Sequence, residues 1–192
     1  DNPVSARFIR MDAQKLGLPV INETNRYRMQ LSEIQVVDAE GNNLAKGKKV
    51  LVSPEEMLPA SWRAENLTDG YIMNTPLLGA TTTAQESQTP SVPCYVEIDL
   101  GEEKRVNGVV IYPRMDTPAE SDATSCANFP QNFTISIKRD NDSSWHTEYT
   151  ATDFSVPDFK TPYDPNLTAF GTSLNLGKPI KKARMYASGV GV

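Results

Sequence analysis

Arg114 and Asp116 stand two residues apart where the apolar-alternating run Val106–Pro113 gives way to a long polar segment. A guanidinium fork at that place can bind two hydroxyls, while Asp116 or Asn128 accepts from them. The plain alternative is a surface ion pair of Arg114 with Asp116 or Glu120. Acids are plentiful in the other inter-strand segments (Glu55, Glu56, Glu65, Glu86, Asp122). Composition therefore does not exclude a catalytic pair, although nothing fixes two of them at the separation that glycoside hydrolysis needs. The single histidine, His146, makes a His-rich metal site or an internal Ser-His-Asp triad hard to build. It follows Trp145 after the turn Asp140–Ser144 and reads as an exposed hairpin position. Cys94 opens a strand and Cys126 sits in the loop before another, so they are either bridged across that loop or two unpaired thiols.

The elements that must position these groups are strands. Cys94–Gly101, Val106–Arg114 and Asn128–Ile137 alternate apolar and polar residues, are bounded by Gly, Pro or Asn, and show no helical period between them. That is the pattern of an antiparallel β-sandwich, which places function on the irregular connections. Strands are predicted at 6–12, 27–37, within 42–53, and at 95–100, 106–112, 132–138 and 145–152. In the second, the parity of Met29, Leu31, Ile34 and Val36 slips near Ser32-Glu33, which predicts a bulge or bend. Trp62–Leu67 reads as one helical turn ending at Asp69-Gly70. Residues 71–92 and 115–130 read as long loops. Residues 156–168, with Pro157, Pro162 and Pro165, read as a linker, and two more strands are predicted at 172–176 and 180–187.

Net charge is −5, with no basic stripe for a nucleic-acid backbone. The short cluster Lys178, Lys181, Lys182 and Arg184 reads as a solvated strand edge. No apolar run reaches the roughly 18 residues of a membrane-spanning helix. The abrupt start at Asp1 leads us to expect a mature or excised piece of a longer protein. The sequons at Asn22, Asn66, Asn132, Asn141 and Asn166 are read as chance matches.

Five motifs then follow in order: Asn43–Lys48, Leu67–Gly70, Val96–Gly101, Val110–Arg114 and Phe129–Ile135. Together they resemble the discoidin, or coagulation factor 5/8 type C, family of galactose-binding-like jelly rolls, over roughly residues 1–155. Ala6–Met11 and Gln30–Val36 resemble that family's last two strands yet come first here. The order implies either a circularly permuted sandwich, the favoured reading, or the end of a neighbouring domain. The stretch Lys178–Val192 is similar to the start of a β-sandwich in bacterial α-L-rhamnosidases. Its rival reading is a returning strand of the same jelly roll.

What the resemblance implies is an all-β, non-catalytic carbohydrate-binding module of a secreted, periplasmic or cell-surface bacterial glycoside hydrolase. Its expected partners are a terminal monosaccharide of a plant polysaccharide, such as L-rhamnose or galactose, and the catalytic domain of the parent chain. No nucleic acid or membrane partner is expected. The resemblance also implies a structural Ca²⁺ near Asp69, with Glu33 as the second acid; a tight turn can aim carbonyls at a cation that wants six to eight oxygens. The rival reading of Asp69 is a turn residue capping backbone N–H groups. Sugar recognition needs an aromatic face and planar polar side chains, and the candidates are Trp62, Arg63, Tyr71, Asn74, Arg114, Asp116 and Asn128. Trp62 has the alternative of plugging the sandwich end, and Tyr71 of lying in the core. A purely structural accessory domain is the main competing function. A protein or phospholipid adhesion domain is a third reading, with Met57-Leu58 and Leu77-Leu78 its only candidate apolar tips.

Overall fold

The computed structural model describes residues 3–56, 61–72, 79–158 and 172–175. In chain order these form β1 (Val4–Lys15), β2 (Gln30–Val37), β3 (Lys49–Ser53), a 3₁₀ turn (Ala64–Thr68), β4 (Ala80–Thr81), β5 (Cys94–Val106) and β6 (Gly108–Pro113). They continue as β7 (Pro118–Ala119), β8 (Asp122–Cys126), β9 (Asn132–Lys138), β10 (His146–Ala151) and β11 (Thr172–Asn175). Two sheets result, of order β10-β9-β1-β5-β3 and β11-β6-β2-β4, with a small β7-β8 hairpin beside them. Every strand pairing is antiparallel.

Strand alternation decides which side chains meet. In β1, Ile9, Met11 and Ala13 are buried while Phe8, Arg10 and Asp12 between them are only partly covered. Ile9, Met11, Val96, Ile98 and Ile135 of the first sheet face Ile34, Val109 and Ile111 of the second. Phe133 closes one corner of this core, edge-on to Phe154 at 5.3 Å and to Phe129 at 6.2 Å between ring centroids. Burying a phenylalanine fully is worth roughly 2–3 kcal/mol, so this corner anchors the segment after β10 to the sandwich.

The first 37 residues complete this same sandwich. β1 lies between β9 and β5, and β2 lies between β6 and β4, so each sheet has one of them in its interior. The predicted irregularity at Ser32-Glu33 is present as a register shift between Leu31, opposite Pro113, and Glu33, opposite Tyr112.

Elsewhere the structure differs from the pattern reading. The two expected loops carry β4 and β7, which are too short to show a period, and β8, whose mostly polar, solvent-facing residues hide one. β5 runs on through the charged run Glu102–Arg105, turning at Gly101 (φ 87°), whose N–H donates to Asp99 Oδ1 at 2.8 Å. At the start of the expected linker, Val156 packs on the core and Pro157 O accepts from Cys126 N at 2.9 Å. β11 pairs with β6 in the second sheet. The strand predicted at 180–187 and the Lys178–Arg184 cluster lie outside the described residues, as do Met57-Leu58 and Leu77-Leu78.

Candidate functional site

Arg114 follows the last residue of β6, and three elements converge on it. Its Nε and Nη2 donate to the two oxygens of Asp116, the latter at 2.8 Å. Its Nη1 donates to Gln30 Oε1 at 2.5 Å, at the start of β2. Its guanidinium carbon lies 5.0 Å from the centre of the Trp62 ring, within cation–π range. Gln30 Oε1 also accepts from Asn128 Nδ2 at 2.6 Å. Asn128 adopts φ 58°, donates its N–H to Leu18 O at 2.7 Å and accepts Gln30 N–H at 3.1 Å. The left-handed conformation suits Asn and turns its amide inward.

The ring end of this network is built on Gly79. Trp62 pairs with Gly79 in a parallel bridge, Arg63 N donates to Gly79 O at 2.9 Å, and Asn66 Nδ2 donates to the same oxygen at 3.1 Å. At φ 120°, a Cβ on Gly79 would lie 1.9 Å from Leu31 O, so only glycine lets this segment approach β2.

Four of the seven expected sugar-site residues are therefore gathered: Arg114, Asp116, Asn128 and Trp62. Two of them take a different role from the one expected. Asn128 is 0% exposed and Trp62 is 7% exposed; Asn128 Nδ2 supports Gln30, and its Oδ1 is buried with no hydrogen-bond partner among the described residues. Trp62 plugs the sandwich end beneath Arg114 instead of offering a face. Arg63 is exposed, with its side chain outside the network. Tyr71 is exposed, not core, and belongs to a different turn; its N–H donates to Asp69 Oδ1 at 2.7 Å. Asn74 lies outside the described residues. Gln30 is the residue that pattern reasoning missed. No local signal marks it, because its partners Arg114 and Asn128 lie 84 and 98 positions away.

The two acids expected to flank a cation are together. Glu33 is 0% exposed, its Oε2 receives a long 3.4 Å bond from Gly70 N–H, and its Oε1 is buried with no hydrogen-bond partner among the described residues. Burial pushes its carboxyl up to about 8, with nearby Asp69 adding to the rise and Gly70 N–H and Lys46 opposing it. Asp69 is raised as well, chiefly by burial. Among the described residues no group of three or more His, Cys, Asp or Glu side chains comes together. Any ligand set here would rest on these two carboxylates plus backbone oxygens. An orphaned carboxylate oxygen fits a hard cation.

The cysteine bridge is not formed. Cys94 and Cys126 are free, buried thiols. Cys94 begins β5 and accepts from Gln85 Nε2 at 2.8 Å, whereas Cys126 ends β8 and contacts Asp158 O at 3.5 Å. Burial pushes the Cys126 thiol up to about 12, helped by Asp158. His146 is exposed and lies 3.5 Å from Asp142.

Residues 66–167, a little over half of the chain, match the F5/F8 type C family model described as a NedA-like, galactose-binding domain. The chain belongs to this F5/F8 type C family. Its two antiparallel sheets agree with a galactose-binding-like sandwich, and membership supports a carbohydrate-binding or accessory role without chemistry of its own. The matched span holds Arg114, Asp116, Asn128 and Asp69, while Gln30, Glu33 and Trp62 precede it. No curated protein and no solved structure matches the chain.

Proposed function

We propose that this F5/F8 type C domain is a non-catalytic carbohydrate-binding module that holds a terminal sugar at the rim formed by Arg114 and Asp116. The observation that carries this reading is the state of Arg114. Among the described residues three of its five N–H groups are engaged, leaving one on each terminal nitrogen of a side chain that is 13% exposed, beside a carboxylate that is 27% exposed. A guanidinium donor next to a carboxylate acceptor suits adjacent hydroxyls of a sugar ring. L-Rhamnose and galactose are the first sugars to test. The parent would be a secreted, periplasmic or cell-surface glycoside hydrolase of the α-L-rhamnosidase kind.

Glu33 and Asp69 would hold a structural Ca²⁺ that offsets two neighbouring carboxylates in a buried place. We also read the strand order as a permuted jelly roll, because the two earliest strands occupy interior positions.

Affinity should be weak, roughly 10⁻⁵ to 10⁻³ M, since one exposed monosaccharide buries little surface. Calorimetric titration with rhamnose, galactose and fucose, with and without EDTA, tests the proposal. Heat saturating at millimolar sugar is the expected result; no heat for any of the three would count against it.

One observation favours a second reading. Trp62, whose ring centre lies 5.0 Å from the Arg114 guanidinium carbon, is turned inward and offers little ring face to a sugar. A purely structural domain packed on a catalytic partner would then show no sugar binding. Trp62→Ala and Arg114→Ala would lower only stability.

A further inference from the structure

We infer that Gln30 is the positioning residue that presets Arg114 for a neutral sugar, an inference that rests on the reading of Arg114 as the sugar-binding group. Gln30 Oε1 is the common acceptor of two donors, Arg114 Nη1 at 2.5 Å and Asn128 Nδ2 at 2.6 Å, and the glutamine is 2% exposed. Asn128 is held in turn by backbone bonds to Leu18 and to Gln30 itself. The guanidinium is thus held by Asp116 along one edge and by Gln30 at Nη1, with its central carbon over the Trp62 ring at 5.0 Å from the ring centre.

A long arginine side chain otherwise loses considerable rotamer freedom when it orders around a ligand. Here that ordering is complete before a sugar arrives, which is how preorganisation raises affinity. The acceptor's chemistry also matters. Gln30 is uncharged, and among the described residues Asp116 is the acid paired with the guanidinium, so this pair carries no net charge. It therefore reads hydroxyls of a neutral sugar in preference to the carboxylate of an acidic one.

The test combines NMR of the Arg114 guanidinium with sugar titration of wild type, Gln30→Leu and Gln30→Glu. In wild type, the Nη1 protons should be resolved and slow to rotate. Gln30→Leu should release them and weaken galactose or rhamnose binding about ten-fold, the loss expected for a bond to a charged group. Gln30→Glu keeps an oxygen acceptor in either protonation state and should retain both the restrained signal and most of the affinity. D-Galacturonate should bind no tighter than D-galactose.

Freely rotating Nη1 protons in wild type would overturn the inference with no variant needed, even if Gln30→Leu fails to fold. Equal loss in Gln30→Glu and Gln30→Leu, or tighter binding of galacturonate, would also overturn it. A restrained guanidinium in a protein that binds none of these sugars would instead refute the sugar-binding reading and leave Gln30's positioning of Arg114 standing.

Discussion

Glu33 is the side chain whose behaviour follows most directly from its surroundings. One of its oxygens is buried without a hydrogen-bond partner among the described residues, and burial pushes its carboxyl up to about 8. An unfolded glutamate loses its proton near 4.3, so between those values the folded state binds more protons. Stability of the metal-free protein should therefore fall as pH rises through that window, and a displacement of this size is worth several kcal/mol. Ca²⁺ needs ionised carboxylates, so added Ca²⁺ should raise Tm by several degrees at pH 8 and by little at pH 5. Glu33→Gln should flatten the metal-free pH profile and abolish the Ca²⁺ response. Thermal melts at the two pH values check this. A metal-free Tm that climbs from pH 5 to 8, or an identical Ca²⁺ response in Glu33→Gln, would contradict the pairing.

The same residue shows what one strand's pattern can reveal. The parity slip near Ser32-Glu33 was legible because alternation has a fixed period, and any phase change must leave a residue over. Gln30 was not legible as a site residue. Its role depends on Arg114, 84 positions away, and on Asn128, 98 away, and no local period encodes such a meeting. Trp62 and Asn128 were recognised as important side chains, but whether each faces outward or inward is set by packing across the rim.

At the level of elements, the long alternating strands were read correctly, as were the shorter β3 and β11, whereas β4, β7 and β8 were not. β4 and β7 have two residues each and are held by their neighbours rather than by any preference of their own. The charged half of β5 was missed because exposed polar residues hide alternation, although β1 pairs with it from Val4–Val106 onward. β1 matters most here. It is flanked on both sides, by β5 and β9, and its buried face supplies Ile9, Met11 and Ala13 to the core. Removing residues 1–15 would expose two sheet edges and part of the core at once. Such a chain should show no cooperative thermal transition and should bind 8-anilinonaphthalene sulfonate, the behaviour of a chain with an open core. A cooperative melt within a few degrees of the intact protein would mean that β1 is not integral to the sandwich.

For the whole molecule, family membership and the two-sheet architecture agree, and the irregular connections at the Arg114 end gather polar side chains that a rigid scaffold holds in place. The five ordered motifs made the fold legible because each is a strand end or turn with strict backbone demands. Which sugar the proposed site would take was not legible, since it depends on how a few donors are aimed, and aim is a property of the folded rim. The most direct measurement is a ¹H–¹⁵N spectrum of the labelled protein titrated with L-rhamnose and D-galactose. Saturable shifts centred on Arg114, Asp116 and the amides beside Trp62 and Gln30, absent in Arg114→Ala, are the predicted result. No saturable shifts with either sugar, or shifts confined to the outer face of the five-stranded sheet around Arg10 and Tyr95, would contradict it.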